Sequence, residues 1–136
     1  MEEIGRVHGI SDYMQMRDAR FPTGPATNAL CHFALAFRKG VQFEIIQPLG
    51  EEDGLYRQIL PGSGYATLFH HLGQHFASRA DFDAALADAR SRWPIPAGFE
   101  TMGGVYAYAD ARKDMGHHLE FFSFPVGSHL DAVPQN

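Results

Sequence analysis

Two stretches of this chain repeat one another, and that repeat restricts its possible folds more than any other feature. Residues 37–50 read FRKGVQFEIIQPLG and residues 111–127 read ARKDMGHHLEFFSFPVG. Each has Arg-Lys at a turn, then a glycine, and then a glutamate four residues after that glycine. Two large apolar residues follow, and each stretch closes on Pro, an apolar residue and Gly. A chain of 136 residues has the size of one ordinary domain. Two matching units inside one domain point to duplication, with Glu44 and Glu120 in equivalent places.

The rest of the pattern is strand-rich. Ala29 to Phe37 reads as a strand, Arg38-Lys39-Gly40 as a hairpin turn, and Val41 to Gln47 as the returning strand, stopped by Pro48. Gly54 to Leu60 suggests a short helix before Pro61-Gly62, and Thr67 to Phe76 a further strand. Phe82, Ala85, Leu86, Ala89 and Trp93 recur at helical spacing, which predicts a helix from Asp81 to Trp93, ended by Pro94 and Pro96. Strands are expected at Phe99 to Met102, Val105 to Asp110 and His117 to Phe124, the last two joined by Arg112 to Gly116. The tail from Ser128 is expected to be loose. A globular chain fits an apolar share of 45% with 20% charged residues. The net charge of −5 and the scattered basic residues exclude a phosphate-binding stripe, so no nucleic-acid partner is expected. Apolar runs are only strand-length, which argues against a membrane span, and Met1 to Ile10 does not read as a signal peptide. Cys31 has no second cysteine to pair with, which suits a reducing, cytoplasmic compartment.

Alternation along the strands sorts the polar residues. Successive strand residues face opposite sides, so Glu44 points away from Phe43 and Ile45, and Glu120 away from Leu119 and Phe121. His71 points away from Leu72 and Phe76. The apolar face is expected to pack under a helix, leaving Glu44, His71 and Glu120 on a concave inner surface. An inward carboxylate is costly unless it is paired or binds a cation, so two of them beside a histidine suggest a metal. Five of the eight histidines cluster, at His70, His71, His75, His117 and His118. His75 and His118 share the inner face, but are expected to be structural. Tyr106, Tyr108, Trp93, Met14 and Met16 are expected in the core or a pocket wall. The plain alternative for Glu44 is a surface carboxylate on an edge strand.

At this point the chain resembles a known family. HHLGQHF at 70–76, the following helix and VYAYADARKDMGHHLEFF at 105–122 look like the second βαβββ module of the vicinal oxygen chelate superfamily. VQFEIIQP at 41–48 resembles the end of the first module. That superfamily includes glyoxalase I, methylmalonyl-CoA epimerase, extradiol dioxygenases and drug-sequestering proteins. The resemblance implies an α+β fold of tandem βαβββ modules forming a curved mixed sheet around a central cleft. The first module would span about residues 1–50 and the second about 66–127 of one domain. It implies metal ligands on the first and last strands of each module: His71 and Glu120 from the second, and Glu44 from the first. His71 precedes Glu120 by 49 residues, and the same interval ahead of Glu44 runs past Met1. The first module is therefore expected to lack its first strand and most of its helix, with only Met1 to Val7 helical and Gly9 at the end. A reading frame assigned too short, a trimmed fold or another subunit in the gap would each account for this. The fourth ligand position is open to His8, His75, a partner-chain residue or water.

Carboxylate and imidazole donors suit a divalent ion such as Zn, Ni, Co, Mn or Fe(II). Such an ion can chelate two substrate oxygens and stabilise an enediolate. By resemblance to glyoxalase I, Glu120 is ligand and base, with Glu44 the second candidate base. The expected reaction is isomerisation, epimerisation or elimination beside a carbonyl of a small molecule or thioester. The alternative within the same fold is a non-catalytic protein that sequesters a small ligand; a third reading is a structural remnant of a longer gene product. The expected macromolecular partner is a second copy, forming a homodimer.

Overall fold

The computed structural model describes residues 2–24, 27–50, 54–101, 103–125 and 132–136. Helix α1 (Glu2–His8) leads into strands β1 (Met14–Gly24), β2 (Thr27–Arg38) and β3 (Val41–Pro48). Then come β4 (His71–His75), α2 (Arg79–Arg92), β5 (Ala97–Thr101), β6 (Gly104–Ala109), α3 (Arg112–Met115) and β7 (His118–Ser123). The class is α+β, as expected from the sequence.

β1, β2 and β3 form an antiparallel meander. Its second turn is the two-residue Lys39-Gly40, both with positive φ, the backbone that matches the twist of a tight hairpin. The second sheet has the order β4-β7-β6-β5 and is mixed, because β4 runs parallel to β7 while the other pairs are antiparallel. β1 lies against β5, and the Tyr106 hydroxyl on β6 donates to the Pro22 carbonyl on β1. Between the sheets sits one core, in which Cys31 and Phe33 of β2 share a cluster with Tyr56, Tyr106 and Tyr108.

A second core lies outside β6 and β7. There Phe82, Leu86 and Ala89 of α2 cover Val105, Ala107 and Phe121. The helical spacing read from the sequence is thus the buried stripe. The helix starts two residues before the expected Asp81 because the Ser78 side chain accepts the Asp81 N–H and caps the first turn. It stops with Trp93 extended, ahead of Pro94.

Several expectations need correction. β1 was not expected: Met14 and Met16 belong to a strand that pairs with β2, and a register shift after Met16 breaks the alternation by which strands are recognised. The strand expected from Thr67 to Phe76 is confined to His71–His75. Gly54 to Leu60 forms turns and one 3-10 turn at Arg57–Ile59. The expected connection from Arg112 to Gly116 is a short helix, closed by a left-handed Gly116. α1 runs to His8, one residue beyond the expected Val7, with Gly9 at φ +67 behind it. Met1 and Met102 lie outside the described residues, as do residues 126–131, where the expected loose tail begins. The end of that tail is held: Phe37 N donates to Pro134 O at 2.8 Å, and Asn136 N to Phe37 O at 2.8 Å. The Asn136 side-chain oxygen accepts the N–H groups of Ser11 and Asp12 at 2.9 and 3.0 Å.

Candidate metal centre

Three strands present the three residues expected from the sequence. β3 turns Glu44 inward in register with Leu35 of β2, while Phe43 faces outward against His8 of α1. β7 turns Glu120 inward in register with Tyr108, while Leu119 and Phe121 pack outward under α2. β4 begins at His71. The expectation that apolar neighbours lie beneath a helix holds for Phe76, Leu119 and Phe121 and fails for Leu72, which is exposed at the sheet edge.

His71 Nε2 lies 3.2 Å from a Glu44 carboxylate oxygen and 3.5 Å from one of Glu120. The three ligand atoms all fall within 4.8 Å of one another. The side chains of His71, Glu44 and Glu120 are only 10%, 23% and 15% exposed, so water screens them poorly. Among the described residues this is the one group of histidine, cysteine or acidic side chains with such geometry. His8 lies against Phe43, on the other face of β3, and His75 is exposed beside Phe122, so neither joins the group.

The cluster is electrostatically crowded. Burial, and then the Glu44 carboxylate, push Glu120 from 4.5 up to about 7, opposed by His71 and by a hydrogen bond from Tyr108. Burial pushes His71 down, but its hydrogen bond to Glu44 and the charges of both glutamates outweigh that, and the net direction is up. Burial and the two carboxylates raise the Tyr56, Tyr106 and Tyr108 hydroxyls, which therefore stay protonated as donors. Tyr56 and Tyr108 share a hydrogen bond of 3.2 Å.

Behind His71 stands a second histidine. His70 Nδ1 is 2.9 Å from His71 Nδ1, and His70 Nε2 is 3.0 Å from the Leu55 carbonyl oxygen. Burial lowers His70 to about 4. His118, expected to be structural, is fully buried and stacks on His70 with ring centroids 4.5 Å apart. Burial and the nearby Arg112 charge lower it as well. The sequence reading missed Tyr56 and the part played by His70. The doubled histidine signals the second, but nothing in residues 54–60 signals the first.

Gly73 pairs with Glu120 across the parallel ladder. A Cβ there would lie 3.2 Å from the Glu120 oxygen Oε2 and 3.1 Å from the Phe122 ring. We expect Gly73→Ala to displace the carboxylate and weaken divalent-ion binding by roughly tenfold, the lower end of what loss of ligand support costs. A competition titration with a chelating dye reads this, and an unchanged affinity would show that Glu120 has room to adjust.

Arranged in this way, two carboxylate oxygens and one imidazole nitrogen suit a borderline or hard divalent ion. Comparison with known proteins adds no assignment: no family model matches the chain, and no curated protein matches it.

Proposed function

We propose that this chain is a metal-dependent enzyme of the vicinal oxygen chelate kind, acting beside a carbonyl of a small molecule or thioester. One observation carries the reading: Glu44, His71 and Glu120, from three different strands, converge within 4.8 Å in a poorly screened position. Two carboxylates forced together without a cation raise the energy of the folded chain, and a divalent ion removes that cost.

The element order supports the tandem-module reading. An α-β-β-β run ends in β3 with Glu44, and a β4-α2-β5-β6-β7 run, with the short α3 in its last connection, ends with Glu120. Each glutamate lies fourth after a left-handed glycine, Gly40 or Gly116. The reading takes the two runs as copies of one module.

When bound, the ion would polarise substrate oxygens and stabilise the negative charge that develops on them. Glu120 is the base: its inward carboxylate stands 3.5 Å from His71 Nε2, beside the position the ion would take. The proton on the carbon beside the carbonyl would pass to a Glu120 oxygen and return from it to the neighbouring carbon; inversion at the same carbon would need a second acid on the other face, for which Glu44 is the candidate. Tyr108, in register with Glu120 on the neighbouring strand, favours the charged form of that carboxyl. Glu44 balances charge and is the second candidate base.

Equilibrium dialysis against zinc, nickel, cobalt and manganese chlorides tests the first half, with one ion per chain expected. The second half is read by proton NMR in deuterium oxide, using a panel of small α-hydroxy carbonyl compounds and acyl thioesters. Metal-dependent loss of the signal beside the carbonyl is expected. Absence of a bound ion at micromolar concentration, or exchange at the same rate without metal, would overturn the reading.

A further inference from the structure

We infer that His70 is a positioning residue: it fixes the tautomer of His71 and commits His71 Nε2 to a cation held between the two carboxylates. The inference rests on the metal reading above, but its own signature is visible without metal.

Donors and acceptors around the two rings fix where the hydrogens lie. The Leu55 carbonyl can only accept a hydrogen bond, so the His70 Nε2 at 3.0 Å from it must carry a hydrogen. The His70 ring is enclosed by Tyr56, Tyr108 and His118, at centroid distances of 5.1, 6.0 and 4.5 Å. No carboxylate hydrogen-bonds to it among the described residues, so this half-buried ring, lined by aromatic side chains, is neutral and its Nδ1 bears a lone pair. The 2.9 Å contact between the two Nδ1 atoms then needs its hydrogen from His71. That leaves the lone pair of a neutral His71 on Nε2, facing acceptor oxygens at 3.2 and 3.5 Å. Three acceptors pointing at one place call for a cation, either a proton or a metal ion.

The reverse arrangement is a cationic His70 giving its Nδ1 hydrogen to His71, which places the His71 hydrogen on Nε2 and fills the metal position. It would place a positive charge on a half-buried ring among aromatic side chains, with no carboxylate hydrogen-bonded to it among the described residues. A hydrogen on a buried metal ligand's second nitrogen is commonly held by a carbonyl or carboxylate. Here the carbonyl acts one residue removed, through a second imidazole.

Two measurements decide. Long-range 1H–15N correlation spectra of the wild-type chain report the His71 tautomer, metal-free at a pH where His71 is neutral and again with one equivalent of zinc. Hydrogen on Nδ1 in both states is expected; hydrogen on Nε2 in the metal-free chain overturns the inference. The second measurement is zinc affinity by dye competition. His70→Phe keeps a flat ring but removes both nitrogens and should weaken zinc roughly 10- to 100-fold. His70→Asn can set its amide oxygen near the lost Nδ1 and should recover most of that loss. His70→Phe binding zinc as tightly as the wild type overturns the inference while leaving the metal reading intact. If the wild type binds no zinc, the metal reading falls and the metal-free spectrum still decides the tautomer. Should His70→Phe fail to fold, the wild-type spectra alone decide.

Discussion

Glu120→Gln is expected to weaken zinc binding by about a thousandfold, equivalent to about 4 kcal/mol. The substitution keeps the shape of the side chain and removes its charge. In place of a carboxylate oxygen 3.5 Å from His71 Nε2 it offers an amide. Glu44 and His71 remain, so residual binding by two ligands should persist at high ion concentration. Proton exchange beside the carbonyl should vanish even where zinc is made to saturate, because an amide cannot accept that proton. Dye competition gives the first number and NMR in deuterium oxide the second. If the variant keeps both zinc affinity and exchange, Glu120 is neither ligand nor base.

Without metal, the same substitution should stabilise the chain, and increasingly so as pH rises. Glu120 is held at about 7 when folded against 4.5 as its ordinary value, chiefly by burial and then by Glu44. A carboxyl raised in this way favours the folded state below pH 4.5, and that contribution is lost as pH climbs through 7. The loss amounts to about 3 kcal/mol by pH 8. His71, also raised, works in the same direction above its ordinary 6.5. His70 and His118 work in the opposite sense: both are lowered, chiefly by burial, so their contribution is present above 6.5 and lost as pH falls. The wild-type curve therefore mixes opposing slopes, while the difference between Glu120→Gln and wild type reports the glutamate together with its coupling to His71 and cancels most of the rest. Urea unfolding in the presence of a chelator should show that difference growing between pH 4.5 and 8. A difference that stays constant with pH would mean Glu120 is not crowded by Glu44 and buried as described. Zinc should reverse the order, stabilising the wild type more than the variant at pH 8.

Gly73→Ala and His70→Phe probe the support of these ligands rather than the ligands themselves. Their smaller expected effects reflect this. Each leaves all three ligand atoms in the chain and alters only how firmly one of them is placed.

Local chemistry made part of this legible from residues alone. α2 was visible because an apolar stripe at helical spacing can be buried only on one side. The β2–β3 hairpin was visible because Gly40 and the strand pattern around it admit few alternatives. The inward direction of Glu44 and Glu120 followed from strand alternation, since each stands between large apolar residues of the opposite face. β1 escaped because its register shift after Met16 destroys that alternation. Leu72, apolar yet exposed, misled because an edge position depends on what lies beyond the strand.

The amino-acid order by itself determined the strand-rich α+β character, the β2–β3 hairpin and the facing of the two glutamates, because those depend on backbone geometry over a few residues. Only the tertiary structure decided that β3 and β4, edge strands of two different sheets, bring Glu44 within 3.2 Å of His71. It alone set Leu55 behind His70 and Tyr56 beside Tyr108. Such contacts join residues far apart along the chain. Their distances are set by how two sheets curve and pack, which no short segment encodes.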